Sequence, residues 1–143
     1  MRVGPASVAV NLGGELGARM EPRTVLLVDD EDDIRAVGQI ALEDVGGWRT
    51  LLAGSGAEAV EVAVRERPDL VLLDVMMPGT DGPTTLGLLR ARPETAATPI
   101  IFLTAKVQQA EVARLLELGA KGVLAKPFDP MTLADEVRRV LNG

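Results

Sequence analysis

The chain contains no cysteine, no histidine and no tyrosine. Without cysteine there is no disulfide and no thiolate metal site, which is compatible with a reducing cytoplasm. Without histidine the chain cannot form a Ser-His-Asp triad, an imidazole zinc site or a phosphohistidine donor. Any chemistry must therefore come from carboxylates, lysine, arginine and hydroxyl groups.

Aromatic residues are also scarce, since Trp48, Phe102 and Phe128 are the only ones in 143 residues. The apolar fraction is nevertheless 47%, which excludes a disordered chain and requires an aliphatic core. A net charge of −6 disfavours a basic nucleic-acid-binding face. There is no run of about 18 apolar residues that would indicate a membrane span. We expect one cytoplasmic domain that binds neither nucleic acid nor membrane directly.

Residues 1–19 differ in composition from the rest of the chain, because they are rich in glycine and other small residues. A signal peptide is one interpretation, but the apolar stretch is short and is interrupted by Asn11 and Gly13. We expect a flexible tail over 1–19 and a folded domain over 20–143, with Met20 as the true or an alternative start. Because the sequence ends after the last predicted helix, we also expect no attached output domain.

Short aliphatic runs alternate with segments of helical periodicity along the rest of the chain. Turn and capping signals separate them, including an S-x-x-E capping box at Ser55 and Glu58. Asp129 is predicted to cap the last helix, with Pro130 at its first position. This alternation predicts a doubly wound parallel α/β sheet with five helices and right-handed crossovers. The five predicted strands are Thr24–Val28, Trp48–Ala53, Leu70–Leu73, Pro99–Leu103 and Lys121–Ala125.

Polar residues collect where the predicted strands end. Asp29 and Asp30 follow the first strand, Asp74 the third, Thr104 the fourth and Lys126 the fifth. In an open α/β sheet, ligands bind at this edge. Three carboxylates in one place repel each other unless a cation intervenes, and such oxygen ligands suit Mg²⁺ or Mn²⁺.

The remaining strand-end groups favour an anionic ligand. Lys126 adds a fixed positive charge and Thr104 adds a hydroxyl donor, which suits phosphoryl transfer. A carboxylate can itself be the nucleophile and form an aspartyl phosphate, and Asp74 is the best candidate. Simpler interpretations exist for each residue: helix capping for Asp29 and Asp30, a solvated side chain for Lys126, and strand propensity for Thr104.

Four segments at these strand ends, in this order, resemble the receiver domain of response regulators, the CheY-like superfamily of two-component signalling. They are VLLVDDED (25–32), LVLLDVMMPGTDG (70–82), IIFLTA (100–105) and AKPF (125–128). The resemblance implies a flavodoxin-like sheet of five parallel strands in the order 2-1-3-4-5, with five helices. It also implies a cis peptide bond before Pro127.

The resemblance assigns a role to each strand-end residue. Asp74 would accept a phosphoryl group from the phosphohistidine of a sensor histidine kinase or a histidine phosphotransfer protein. Lys126 would contact the phosphoryl group, and the hydroxyl of Thr104 would turn toward it. The implied ligands of Mg²⁺ are Asp29, Asp30, Asp74 and the backbone carbonyl of Met76.

Two positions depart from the family pattern. Val123 stands where receivers usually carry an aromatic switch residue, so we expect a smaller conformational change on the face formed by the fourth helix, fifth strand and fifth helix. Met76 is apolar where a polar side chain could orient the hydrolytic water.

The implied function is a single-domain response regulator that, when phosphorylated, either binds an unknown downstream protein or serves as an intermediate or sink in a phosphorelay. It would catalyse the transfer of the phosphoryl group from the donor to itself and its own dephosphorylation, but it would not be a turnover enzyme. Both a monomer and a phosphorylation-dependent dimer are compatible with the sequence. Two alternatives are a receiver-like scaffold that takes no phosphoryl group and a haloacid dehalogenase-type phosphatase. The phosphatase would need a second aspartate two residues after Asp74, where the chain has Met76.

Overall fold

The computed structural model describes residues 20–143, so the expected tail over 1–19 lies outside the described residues. The strands of this part are β1 (Thr24–Val28), β2 (Arg49–Ala53), β3 (Leu70–Asp74), β4 (Ile100–Thr104) and β5 (Gly122–Ala125). The α-helices are α1 (Asp32–Ile40), α2 (Gly56–Glu66), α3 (Gly82–Arg90), α4 (Gln109–Glu117) and α5 (Leu133–Asn142).

The strands form a five-stranded parallel sheet. β1 pairs with β2 on one side and β3 on the other, and β4 lies between β3 and β5. The strand order is therefore β2-β1-β3-β4-β5. The predicted fold class and the order 2-1-3-4-5 are confirmed, and the Lys126–Pro127 peptide bond is cis.

The central strands are covered on both faces. β3 and β4 are buried along their whole length, and their side chains alternate between two apolar clusters. α2, α3 and α4 complete the cluster that contains Leu73. The cluster that contains Leu72 is completed by α5 and by Ala41 and Leu42, which directly follow α1. This double burial explains why these strands are continuous apolar runs rather than alternating ones.

The first helix ends in a wider turn. After α1, residues 41–45 are π-helical, and the amide of Gly46 donates to the carbonyl of Ala41, five residues earlier, at 3.0 Å. Ala41 and Leu42 are fully buried. Val37 and Val45, whose spacing helped to predict this helix, are both 41% exposed, because the helix turns their side away from the sheet.

Side-chain caps begin the helices only partly as predicted. The Ser55 hydroxyl accepts from the amide of Glu58 at 3.1 Å, as in a capping box, but the Glu58 carboxylate accepts from Gly54 instead of Ser55. The prediction that Asp129 caps the last helix is wrong. Asp129 accepts from the amide of Met131 and caps a separate turn, and α5 begins only at Leu133.

A cluster of charged and aromatic side chains covers the amino ends of the strands. The Arg138 guanidinium lies 4.8 Å from the centre of the Trp48 ring and donates to the carboxylate of Glu21 and the carbonyl of Gly46. Trp48 is 4% exposed, and its indole N–H donates to Glu21 at 2.7 Å. These contacts join α5, the segment before β1 and the segment before β2.

Candidate functional site

The last residue of β3, Asp74, lies at the carboxyl edge of the sheet and is 4% exposed. The strand continues its pairing for one residue, because the amide of Val75 donates to the carbonyl of Leu103 at 3.1 Å. The chain then turns, and the amide of Met76 donates to Asp74 Oδ1 at 3.3 Å. The carboxylate is thus held at the rim of the core by its own strand and turn.

Asp29 and Asp30 follow β1 beside this carboxylate but differ in burial. Asp29 is fully buried, its amide donates to the carbonyl of Ala53 at 3.1 Å, and its Oδ1 accepts from the amide of Glu31 at 2.9 Å. Asp30 is exposed. The structure therefore places one buried and one exposed carboxylate next to Asp74.

Lys126 joins the two buried carboxylates. Its Nζ lies 2.7 Å from Asp29 Oδ2 and 3.3 Å from Asp74 Oδ2, and the side chain is 16% exposed. Its amide donates to the carbonyl of Thr104 at 2.9 Å, which places the lysine directly beyond β5. Burial lowers the pKa of Lys126, but the hydrogen bond to Asp29 and the charges of both aspartates outweigh it, so the pKa is raised.

Burial and a like charge act together on Asp74. Desolvation raises the pKa of its carboxyl group most, and the negative charge of Asp29 raises it further. Lys126 and the Met76 amide act in the opposite direction without cancelling this effect. One ammonium group therefore does not compensate for two buried carboxylates.

The three aspartates form a group that could hold a metal ion. One oxygen from each of Asp29, Asp30 and Asp74 lies within 4.8 Å of the other two. The donor set contains only oxygen, as hard divalent cations prefer, and it carries more negative charge than Lys126 neutralises. The residues present thus fit a divalent cation, and the backbone of Met76 runs beside them.

Thr104 reaches the same edge but turns its hydroxyl to its own loop. The residue is 2% exposed and ends β4, the neighbour of β3. Its Oγ1 accepts from the amide of Lys106 at 3.0 Å. The sequence therefore predicted the place of this residue but not the direction of its hydroxyl, which follows from the loop after β4.

Val123 occupies the middle of β5. It is half-buried and packs against the cluster that contains Phe102 and Leu115. The position thus carries a small aliphatic side chain that contacts this cluster.

Arg35, which the sequence did not mark as a site residue, contacts the acidic loop from α1. Its Nη1 donates to the carbonyl of Asp29 at 2.6 Å, and its side chain is 20% exposed. The only signal in the sequence was a cation shortly after an acidic run, which is common on solvated helix surfaces.

A doubly wound sheet with an acidic cluster and a lysine at the carboxyl ends of its strands is the arrangement of a ligand-binding α/β domain. The comparison with protein families narrows this class. A family model described as the response regulator receiver domain matches residues 25–138. The chain therefore belongs to the response regulator receiver domains, and the resemblance found in its motifs is confirmed.

Similar proteins agree with this membership. The chain is 40% identical over 122 residues to the phosphate regulon transcriptional regulatory protein PhoB of Pseudomonas aeruginosa, covering 85% of this chain and 53% of that protein. It is 42% identical over 115 residues to the DNA-binding response regulator MtrA of Mycolicibacterium smegmatis, covering 80% and 48%. The chain thus spans about half the length of the curated relatives that it matches.

Solved structures match along nearly their whole length. Chemotaxis response regulator CheY4 of Vibrio cholerae aligns with a TM-score of 0.78 at 34% identity, covering 83% of this chain and 98% of that one. A putative response regulator from Chloroflexus aurantiacus aligns with a TM-score of 0.75 at 36% identity, covering 84% and 98%. Among residues 20–143, no helix is both long and apolar enough to cross a membrane.

Proposed function

We propose that Asp74 is the phosphoacceptor of this domain and that its phosphorylation switches the binding of a partner protein. The observation that carries this proposal is the pairing of Lys126 with both buried carboxylates, Asp29 and Asp74, at the edge where β1, β3 and β5 end. A buried nucleophile beside a fixed cation is suited to receive an anionic group. The domain is a signalling module by family, and that membership argues against the phosphatase alternative.

The transfer step requires few groups. A carboxylate oxygen of Asp74 attacks the phosphorus of a phosphohistidine, the P–N bond breaks, and the imidazole leaves with the bonding electron pair. Asp74 becomes an acyl phosphate that carries the phosphoryl group lost by the donor. Lys126 offsets the added negative charge, and the Thr104 hydroxyl donates to a phosphoryl oxygen after leaving the Lys106 amide.

The site would hold Mg²⁺, with Mn²⁺ as a second possibility. Its ligands would be the carboxylates of Asp29, Asp30 and Asp74 and the backbone carbonyl of Met76. When bound, such an ion neutralises charge on the phosphoryl oxygens. Asp29 pairs with Lys126, and the exposed position of Asp30 leaves this side of the site open to solvent and to a donor protein.

The donor in this proposal is a sensor histidine kinase or a histidine phosphotransfer protein, and the downstream partner is a protein. Several relatives are named as transcriptional or DNA-binding regulators, so the expectation of no nucleic-acid partner applies at most to the acidic domain described here. Self-dephosphorylation and a cytoplasmic location remain predictions from the sequence.

Intact-mass spectrometry after incubation with acetyl phosphate and Mg²⁺ tests the proposal. Wild type should gain one phosphoryl group as acetate leaves, and neither the sample with EDTA nor Asp74→Asn should gain it. The exposed Asp44→Asn is a matched control and should be labelled like wild type. A missing adduct, together with no stable beryllofluoride complex, would support the scaffold alternative instead.

A further inference from the structure

Arg35 connects α1 to the acidic loop after β1. Its Nη1 donates to the backbone carbonyl of Asp29 at 2.6 Å, and its Nη2 pairs with the carboxylate of Asp32. Its own amide donates to the carbonyl of Glu31 at 3.1 Å. The guanidinium is therefore anchored in the first turn of α1 while it binds the peptide that joins Asp29 to Asp30.

The end of β2 leaves room for this guanidinium. A Cβ placed on Gly54 would lie 3.0 Å from Arg35 Nη1 and 3.4 Å from Cζ. Gly54 is itself held, because its amide donates to Glu58 at 2.7 Å. The Arg35 side chain, 20% exposed, thus lies between the ends of β1 and β2 with little freedom to move.

The two aspartates of this loop are fixed by different means. Lys126 and the amide of Glu31 hold the carboxylate of Asp29. Within residues 20–143 no hydrogen bond or ion pair holds the carboxylate of Asp30, so its direction depends on its backbone. The Asp29 carbonyl belongs to the planar peptide unit that contains the Asp30 nitrogen. A donor that fixes this carbonyl also fixes the position of the Asp30 Cα, the atom from which the side chain leaves the backbone.

We propose that Arg35 is a positioning residue of the cation site, which orients Asp30 by binding the carbonyl of Asp29. The proposal rests on the proposed function and deepens it, since it assigns a role to a residue that touches neither the cation nor the phosphoryl group. Residues that orient metal ligands typically contribute about tenfold to hundredfold to metal affinity. Arg35 therefore increases cation affinity although it is positively charged.

The charge of Arg35 and its positioning role predict changes of opposite sign in cation affinity when Arg35 is removed. Loss of a positive charge beside the site would strengthen cation binding, because the remaining carboxylates would attract the ion more. Loss of positioning would weaken it, because Asp30 would have to be ordered on binding. The sign of the change in affinity thus separates the two effects, and a general loss of stability produces neither in a folded sample.

The test is a titration with Mn²⁺ alone, followed by electron paramagnetic resonance, on the whole chain of wild type, Arg35→Gln and Arg35→Lys. Arg35→Lys keeps the positive charge but loses the planar guanidinium that donates to two acceptors at once. It replaces Arg35→Gln in the test if Arg35→Gln does not fold. The matched control is Arg90→Gln, because Arg90 is likewise an arginine that donates to the backbone, to the carbonyls of Thr98 and Gly119, but away from the acidic loop. Circular dichroism establishes the folded fraction of each sample.

Wild type should bind Mn²⁺, both Arg35 variants should bind about tenfold more weakly or worse, and Arg90→Gln should match wild type. Unchanged or tighter binding by Arg35→Gln would overturn the role of Arg35, and so would an equal loss in Arg90→Gln. If wild type itself binds no Mn²⁺, the cation site of the proposed function fails, which is a separate result from a failure confined to the Arg35 variants.

Discussion

Asp74 is a residue whose location costs the folded state free energy. Its carboxylate is buried beside the negative charge of Asp29, and both effects raise its pKa above the ordinary value of 3.8. A carboxyl group whose pKa is raised by folding binds its proton more strongly in the folded state than in the unfolded state. Its ionisation therefore destabilises the fold at any pH above the raised pKa.

Asp74→Asn should consequently stabilise the protein against unfolding at pH 7. The amide removes the buried charge, and Lys126 keeps its partner Asp29 at 2.7 Å. The gain should shrink as the pH falls through the raised pKa toward 3.8, because the wild-type carboxyl is then protonated in both states. Urea unfolding at several pH values measures this difference. A variant that is less stable than wild type at pH 7, with exposed Asp44→Asn unchanged, would contradict the prediction.

At the residue scale, the sequence predicted which side chains meet but not how they meet. The positions of Asp29, Asp74 and Lys126 follow from strand ends in a parallel sheet, because the carboxyl ends lie at one edge. The pairing of Lys126 with Asp29, the rotation of the Thr104 hydroxyl and the contact of Arg35 depend on side-chain packing. No spacing rule encodes such packing.

At the scale of elements, α3 begins directly against the end of β3. A Cβ on Gly82, the first residue of α3, would lie 2.4 Å from the carbonyl oxygen of Asp74 and 2.9 Å from the Cα of Val75. Both neighbours are backbone atoms, which cannot move aside as a side chain can. The approach of this helix to the strand therefore requires a residue without a side chain.

Two glycine substitutions in α3 should have opposite effects. Gly82→Ala should destabilise the fold by about 2 kcal/mol and reduce labelling of Asp74, because the added methyl group displaces the end of β3. Gly87→Ala should stabilise it by about 0.5–1 kcal/mol, since alanine favours a helix and nothing lies within 4 Å of that position. Urea unfolding gives both values. Equal effects of the two substitutions would show that the contact between α3 and β3 does not matter.

The ends of strands and helices can be predicted from the sequence where one hydrophobic periodicity or one stop signal determines them. The five strands were placed to within one residue at each end, because each aliphatic run ends at a polar residue or a turn. The π-helical turn after α1 and the late start of α5 could not be predicted in this way. The π-helical turn accompanies the tertiary burial of Leu42, whereas the late start of α5 follows from the local turn that Asp129 caps.

At the scale of the whole molecule, folding brings together acidic groups that are far apart in the chain. Asp30 and Asp74 lie on opposite sides of β2 and α2 in sequence, yet their oxygens are within 4.8 Å of each other. An unfolded chain has no such cluster, so a cation that binds the cluster binds the folded state alone. Binding and folding are therefore linked.

Mg²⁺ should raise the melting temperature. At a concentration 100 times the dissociation constant, the expected stabilisation is about 2.7 kcal/mol. NaCl at equal ionic strength should not reproduce it, and Asp30→Asn should lose most of it, although that exposed residue contributes little to the fold itself. Differential scanning calorimetry with MgCl₂ or EDTA measures the shift. An identical rise with NaCl would assign the effect to screening and not to a site.

The cluster of Trp48 and Arg138 has an optical consequence. Trp48 is the only indole and the chain has no tyrosine, so emission excited near the red edge of protein absorption arises from one buried ring. That ring lies at the amino ends of the strands, a full strand length from Asp74, and it senses the guanidinium above it. Intrinsic fluorescence will therefore report the detachment of α5 and unfolding, while chemistry at Asp74 will need a label or mass measurement to be seen.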